Sequence, residues 1–188
     1  MVIGLSLSVL GPALSNLQHQ AGVSLRAVSS IFVAQAIGYL FGTLTSGRLI
    51  DRALGHRLYA GSLLLLAAAF AILPSASSLA WLCVVFALIG FAGGAVDAAG
   101  NTFVLWSRTS NPGSLMNALH LCFGIGALLC PLLVDRSQVW RGDISLACWT
   151  ISALATGGAA FVLSRPTPNH PHHLSPDPPQ SADRKSVV

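Results

Sequence analysis

Asp97 is the only carboxylate inside the long apolar runs of this 188-residue chain. If the stretch Gly90-Phe-Ala-Gly-Gly-Ala-Val-Asp-Ala-Ala-Gly-Asn-Thr-Phe-Val-Leu105 is a helix, Asn101 lies one turn later on the same face. An ionisable group among lipid is expensive, so Asp97 should face protein or a wet cavity. There a carboxylate can exchange a proton or hold a cation. Its alternative role is a structural hydrogen bond between helices. Asn101 offers both a donor and an acceptor, which suits sugar hydroxyls, or else serves as a packing amide. His120 can bind a substrate or relay protons, or be a histidine with one satisfied hydrogen bond. Gln35, in the middle of another apolar run, is a contact of the same two-sided kind.

Composition sets where these groups sit. The chain is 53% hydrophobic and 9% charged, with a mean hydropathy of +0.69. That excludes an ordinary soluble domain. There is no Glu and a single Lys. The net charge of +4 comes from basic residues scattered singly between apolar runs, which is no nucleic-acid footprint. Cys83, Cys122, Cys130 and Cys148 lie within apolar runs and act as small hydrophobes, so neither a disulfide framework nor a metal site is expected. No cofactor is expected either, and no cleavable signal peptide is evident.

A membrane helix needs about 20 apolar residues. The runs predict an all-α polytopic membrane protein with six spans over residues 2–14, 28–46, 58–73, 79–104, 116–134 and 144–163. Breaks fall at Pro74-Ser-Ala-Ser-Ser78, Asn111-Pro-Gly113 and Arg141-Gly-Asp143. Residues 1–163 form one bundle. Residues 164–188, rich in Pro, His and Ser, read as a disordered tail or linker. Arg48, Arg52, Arg57, Arg108, Arg165, Arg184 and Lys185 outweigh Arg26, Arg136 and Arg141, the last two offset by Asp135 and Asp143. This puts both termini in the cytoplasm. Gly38-x-x-x-Gly42, continuing to Ser46, is a small-residue stripe for helix packing, and Gly124, Gly126 and Pro131 suggest close packing and a bend. The short first span and the terminal Asp183-Arg-Lys-Ser-Val-Val188, which matches a translated sequencing adapter, predict a chain cut at both ends.

No enzyme motif stands out. Ser114 and His120 are close in sequence, but no Gly-x-Ser-x-Gly elbow frames the serine. Phosphate loops, paired carboxylates and His-Glu-x-x-His are absent from the sequence.

The loop Gly47-Arg-Leu-Ile-Asp-Arg-Ala-Leu-Gly-His-Arg57 resembles the connection between helices two and three of the major facilitator superfamily, with Gly47 ending a helix and Gly55 allowing a tight reversal. The matching residues are Gly47, Asp51, Arg52, Gly55 and Arg57. This chain has one extra residue before Gly55, and His56 in a basic position. Gly4-Leu-Ser-Leu-Ser-Val-Leu-Gly-Pro-Ala-Leu-Ser-Asn-Leu17, Val96-Asp-Ala-Ala-Gly-Asn-Thr-Phe-Val-Leu-Trp106 and Met116-Asn-Ala-Leu-His-Leu-Cys-Phe-Gly-Ile-Gly-Ala-Leu-Leu-Cys-Pro-Leu-Leu-Val-Asp135 resemble helices one, four and five of its fucose permease-like and sodium-dependent glucose transporter-like branch. The resemblance implies twelve helices in two halves, of which this chain matches the N-terminal six. It implies a secondary transporter for a hexose-like sugar, coupled to a proton or sodium ion, in a plasma or cell inner membrane among lipid, with a missing C-terminal six-helix half. Gln35, Asn101 and His120 would contact substrate and Asp97 would couple the ion. Asn16 stands where the family often has an acid, which leaves Asp97 as this half's one titratable carboxylate. The alternative is a non-transport six-helix scaffold, or a half that pairs with another half.

Overall fold

The structure is a computed structural model that describes residues 1–50, 55–106 and 112–165. Every regular element among them is helical. They are α1 (Val2–Ser8), α2 (Leu10–Ala21), α3 (Leu25–Val28), α4 (Ser30–Ile50), α5 (Gly55–Ile72), α6 (Leu79–Trp106), α7 (Pro112–Arg141) and α8 (Ser145–Leu163), with a 3-10 turn at Leu73–Ser75. Five segments are long and apolar enough to cross a membrane: Leu25–Ile50, Gly55–Ser75, Leu79–Trp106, Gly113–Arg141 and Ser145–Leu163.

The first expected span differs. It does not end near Gly11-Pro12. Instead α1 and α2 meet at Val9, which keeps a right-handed helical backbone, and helix continues to Ala21. Pro12 has no N–H, so the carbonyl four residues back, that of Ser8, loses its helical donor where α1 ends. Gly22, at φ +63°, then terminates α2 in the left-handed conformation that suits glycine. The Gln20 side-chain amide approaches the carbonyls of Leu73, Pro74 and Ala76 at 3.2, 3.0 and 2.7 Å, pinning this end to the α5–α6 connection.

Two crossings bring backbones into contact. At Gly38 and Gly42 of α4, an added Cβ would overlap the carbonyl oxygens of Ala87 and Phe91. The relation is mutual, since a Cβ at Gly90 or Gly94 of α6 would overlap the carbonyl oxygens of Gln35 and Tyr39. Ser46, at the end of the stripe, donates to Ala95 O at 3.1 Å. The second crossing pairs Gly4 of α1 with Phe123 O of α7, and Gly126 of α7 with Met1 O. Small residues permit this approach, which drives helix association where the surroundings are as apolar as the side chains. Gly124 does not share in it, because a Cβ there meets open space.

Helix α5 packs on both α8 and α6. The shared core includes Leu66, Phe70, Phe86, Ile89, Cys148 and Ile151, all buried. At the α7–α8 turn, Gly142 takes φ +75°. Asp143 Oδ1 accepts from the Ser145 hydroxyl at 2.6 Å and from its N–H at 2.9 Å. Those bonds, the hydroxyl's first, hold the Asp143 carboxyl below its ordinary value of 3.8, with help from Arg141. A depressed pKa stabilises the fold above the unfolded-state value and loses that contribution as pH falls through the lowered one. The midpoint of thermal unfolding should therefore decline below about pH 4. Asp143→Asn should reduce that decline.

The crossings give a second expectation. Gly90→Ala should cost about 1–3 kcal/mol or more, because the obstacle is backbone that cannot rotate away. Gly157→Ala, which meets open space, should leave the unfolding midpoint unchanged or raised. Thermal unfolding in detergent measures both.

Candidate functional site

The α4–α6 crossing sets the polar site. With backbones in contact at Gly94, the next side chain along α4 reaches across, and the Tyr39 hydroxyl donates to Asp97 Oδ2 at 2.7 Å. That is an ordinary length for an O–H···O bond. One turn on, the Thr43 hydroxyl bonds its own helix at Tyr39 O (2.9 Å) and reaches Gly94 O at 3.4 Å.

Asp97 also lines a cavity of about 80 Å³. Its walls are Met1, Ile3 of α1, Tyr59 of α5, Val96 and Gly100 of α6, and Leu119 and Phe123 of α7. Drug-sized ligand pockets run to about 300–1,000 Å³, so this space suits an ion or a few waters. A second, more open groove of about 350 Å³ shares Tyr59, Gly100 and Leu119 with it. It runs on past Phe103 and Val104 to His56, Phe161, Val162 and Arg165. The Arg165 guanidinium lies 4.9 Å from the centre of the Phe161 ring.

The other expected site residues scatter. Asn101 sits half-buried one turn after Asp97, and its Oδ1 is buried with no hydrogen-bond partner among the described residues. Gln35 is buried and its amide donates to Leu7 O at 3.5 Å, tying α4 to α1. His120 is exposed on α7 and lines neither space. The structure thus brings Asp97 together with Tyr39 and Tyr59, and does not bring His120 or Gln35 to it. Of the loop residues, Asp51 and Arg52 lie outside the described residues. Gly47 does not end a helix, since α4 continues through it to the buried Ile50. Gly55 is the first residue of α5, buried against the Phe103 ring, and Arg57 is exposed.

Sequence reasoning missed the two tyrosines. The signal was available: the chain has only two, and Tyr39 follows Gly38 of the small stripe and stands one turn after Gln35. The unpartnered Asn101 oxygen yields a stability test. A buried acceptor without a donor costs about 1–3 kcal/mol, so Asn101→Leu should raise the unfolding midpoint in detergent. A lowered midpoint would mean that the amide is bonded.

The comparisons fit this architecture. The Major Facilitator Superfamily model matches residues 1–184. Sodium-dependent glucose transporter 1 of Rattus norvegicus is 36% identical over 134 residues, covering 70% of this chain and 27% of that protein. Sodium-dependent glucose transporter 1A of Mus musculus is 32% identical over 133 residues, 70% of this chain and 31% of the relative. Major facilitator superfamily domain-containing protein 4A of Homo sapiens is 33% identical over 134 residues, 70% and 26%. The matched part of the chain thus spans about a third of the length of these relatives or less. A multi-pass membrane architecture, paired glycine crossings and this family match lead to one statement: the chain belongs to the Major Facilitator Superfamily, a family of transporters.

Proposed function

We propose that the chain forms the six-span N-terminal half of a secondary active transporter that carries a hexose-like sugar by cation- or proton-coupled alternating access. The observation that carries this reading is Asp97, a carboxylate on a membrane-length helix, facing a small cavity with a tyrosine hydroxyl on one oxygen. An acid in such a place marks an ion or proton path. The names of the glucose-transporter relatives support the sugar and the sodium ion as candidates.

Size separates the two cargoes. The cavity at Asp97, about 80 Å³, suits the coupling ion rather than a sugar. The sugar then belongs on the face turned towards a second half, where the exposed His120 is available, with the half-buried Asn101 on α6 and the buried Gln35 on α4 as the further candidates. In this reading Val2–Ala21 completes six spans, both termini are cytoplasmic in a plasma or cell inner membrane, and residues 164–188 link the halves. Two such halves rock about a site near the midplane, exposing it to each side in turn.

The test uses the protein carrying both halves, reconstituted in vesicles. Asp97→Asn should abolish accumulation driven by a sodium or proton gradient while sparing sugar exchange. Unchanged uphill uptake in that variant would remove Asp97 from coupling.

A further inference from the structure

A coupling carboxylate must release its cation as well as bind it, and what stabilises the empty form is a separate question from what binds the ion. Around Asp97, α4 contributes the Tyr39 hydroxyl, bonded to Oδ2 at 2.7 Å. Helix α5 contributes Tyr59, α1 contributes Ile3, and Met1 lies just before α1. Helix α7 contributes Leu119 and Phe123, which cannot donate.

We propose that Tyr39 is a positioning residue that stabilises the ion-free carboxylate of Asp97 and thereby sets how readily the coupling cation leaves. The inference rests on the coupling role proposed for Asp97.

The argument is one of linkage. A hydroxyl donates most strongly to an ionised, unoccupied carboxylate. Once a metal cation occupies that group, it is a poorer acceptor and the bond weakens. A contact stronger in the empty state favours that state and lowers cation affinity by the difference. The donor is held in place to do this. Gly38 and Gly42 seat α4 on the carbonyls of α6, Thr43 reaches Gly94 O and Ser46 bonds Ala95 O, so the backbone bearing Tyr39 is fixed relative to the backbone bearing Asp97. The side chain alone has to swing when the ion enters.

The test needs no transport. In the purified protein carrying both halves, the infrared carboxylate band lost in Asp97→Asn is followed during titration with sodium ions at fixed pH. Tyr39→Phe should lower the half-saturating sodium concentration by about tenfold, consistent with the loss of one charge-assisted hydrogen bond. Tighter binding is an outcome that mere damage to packing does not produce. Thr43→Val disturbs the same crossing without touching Asp97, and should stay within about twofold of the parent protein. An unchanged or weaker affinity in Tyr39→Phe, with helical content intact by circular dichroism, overturns the role of Tyr39 and leaves that of Asp97 standing. A parent band that sodium does not move removes Asp97 from sodium coupling, and this inference with it.

Discussion

Where α4 crosses α6, the two backbones touch, and they do so because four positions lack a Cβ. Gly38 and Gly42 on one helix and Gly90 and Gly94 on the other each face a carbonyl oxygen of the partner that any side chain would strike. In a hydrocarbon setting a helix gains little from burying apolar surface, so close packing and interhelical hydrogen bonds decide association. This crossing has both, since Thr43 and Ser46 reach the α6 carbonyls of Gly94 and Ala95. The position of Asp97 follows from it. A larger residue at Gly94 would lift α4 away, and the Tyr39 hydroxyl could not stand 2.7 Å from the carboxylate.

The same device recurs between α1 and α7, through Gly4 and Gly126. With α1–α2 taken as the first span, α4–α6 pairs the second with the fourth and α1–α7 the first with the fifth. Exchange of the first three spans with the last three converts one crossing into the other. That is the relation expected of the inverted repeats nested within each half of a major facilitator protein. Helices α5 and α8 pair by conventional interdigitation around Leu66, Phe70 and Ile151, without backbone contact of that kind. The bundle therefore has two stiff crossings near the polar site. Its ends are tied separately, by Gln20 to the α5–α6 connection and by Ser137, whose hydroxyl donates to Asp143 O at 2.8 Å and accepts from Ala147 N at 3.2 Å.

Much of this was legible in the residues. The Gly38-Gly42-Ser46 stripe and the glycines flanking Asp97 reported their own crossing, because spacing by four keeps positions on one helical face. The helices from α4 onward lie close to the expected runs, since length and apolarity are local properties. What was not legible depended on partners from elsewhere in the chain. Tyr39 reads as one aromatic among apolar neighbours until α6 is laid beside it. His120, a candidate substrate contact beside Asn101 by sequence, is exposed on α7, an orientation that its residue type does not reveal. Gln35, a possible ligand contact by sequence, spends its amide on Leu7 O. Gly47 and Gly124 show that a glycine alone signals neither a helix end nor a contact. Pro12 removed one donor and did not stop the helix.

The central claim is that glycine-permitted backbone contact holds Tyr39 on Asp97, and the most direct measurement is a distance. In the protein reconstituted in a lipid bilayer, with carbon labels at Tyr39 Cζ and Asp97 Cγ, solid-state magnetic resonance should return a separation of about 4–5 Å, as an O–H···O bond of ordinary length and angle requires. A separation beyond about 6 Å would contradict the account, because no hydrogen bond spans it.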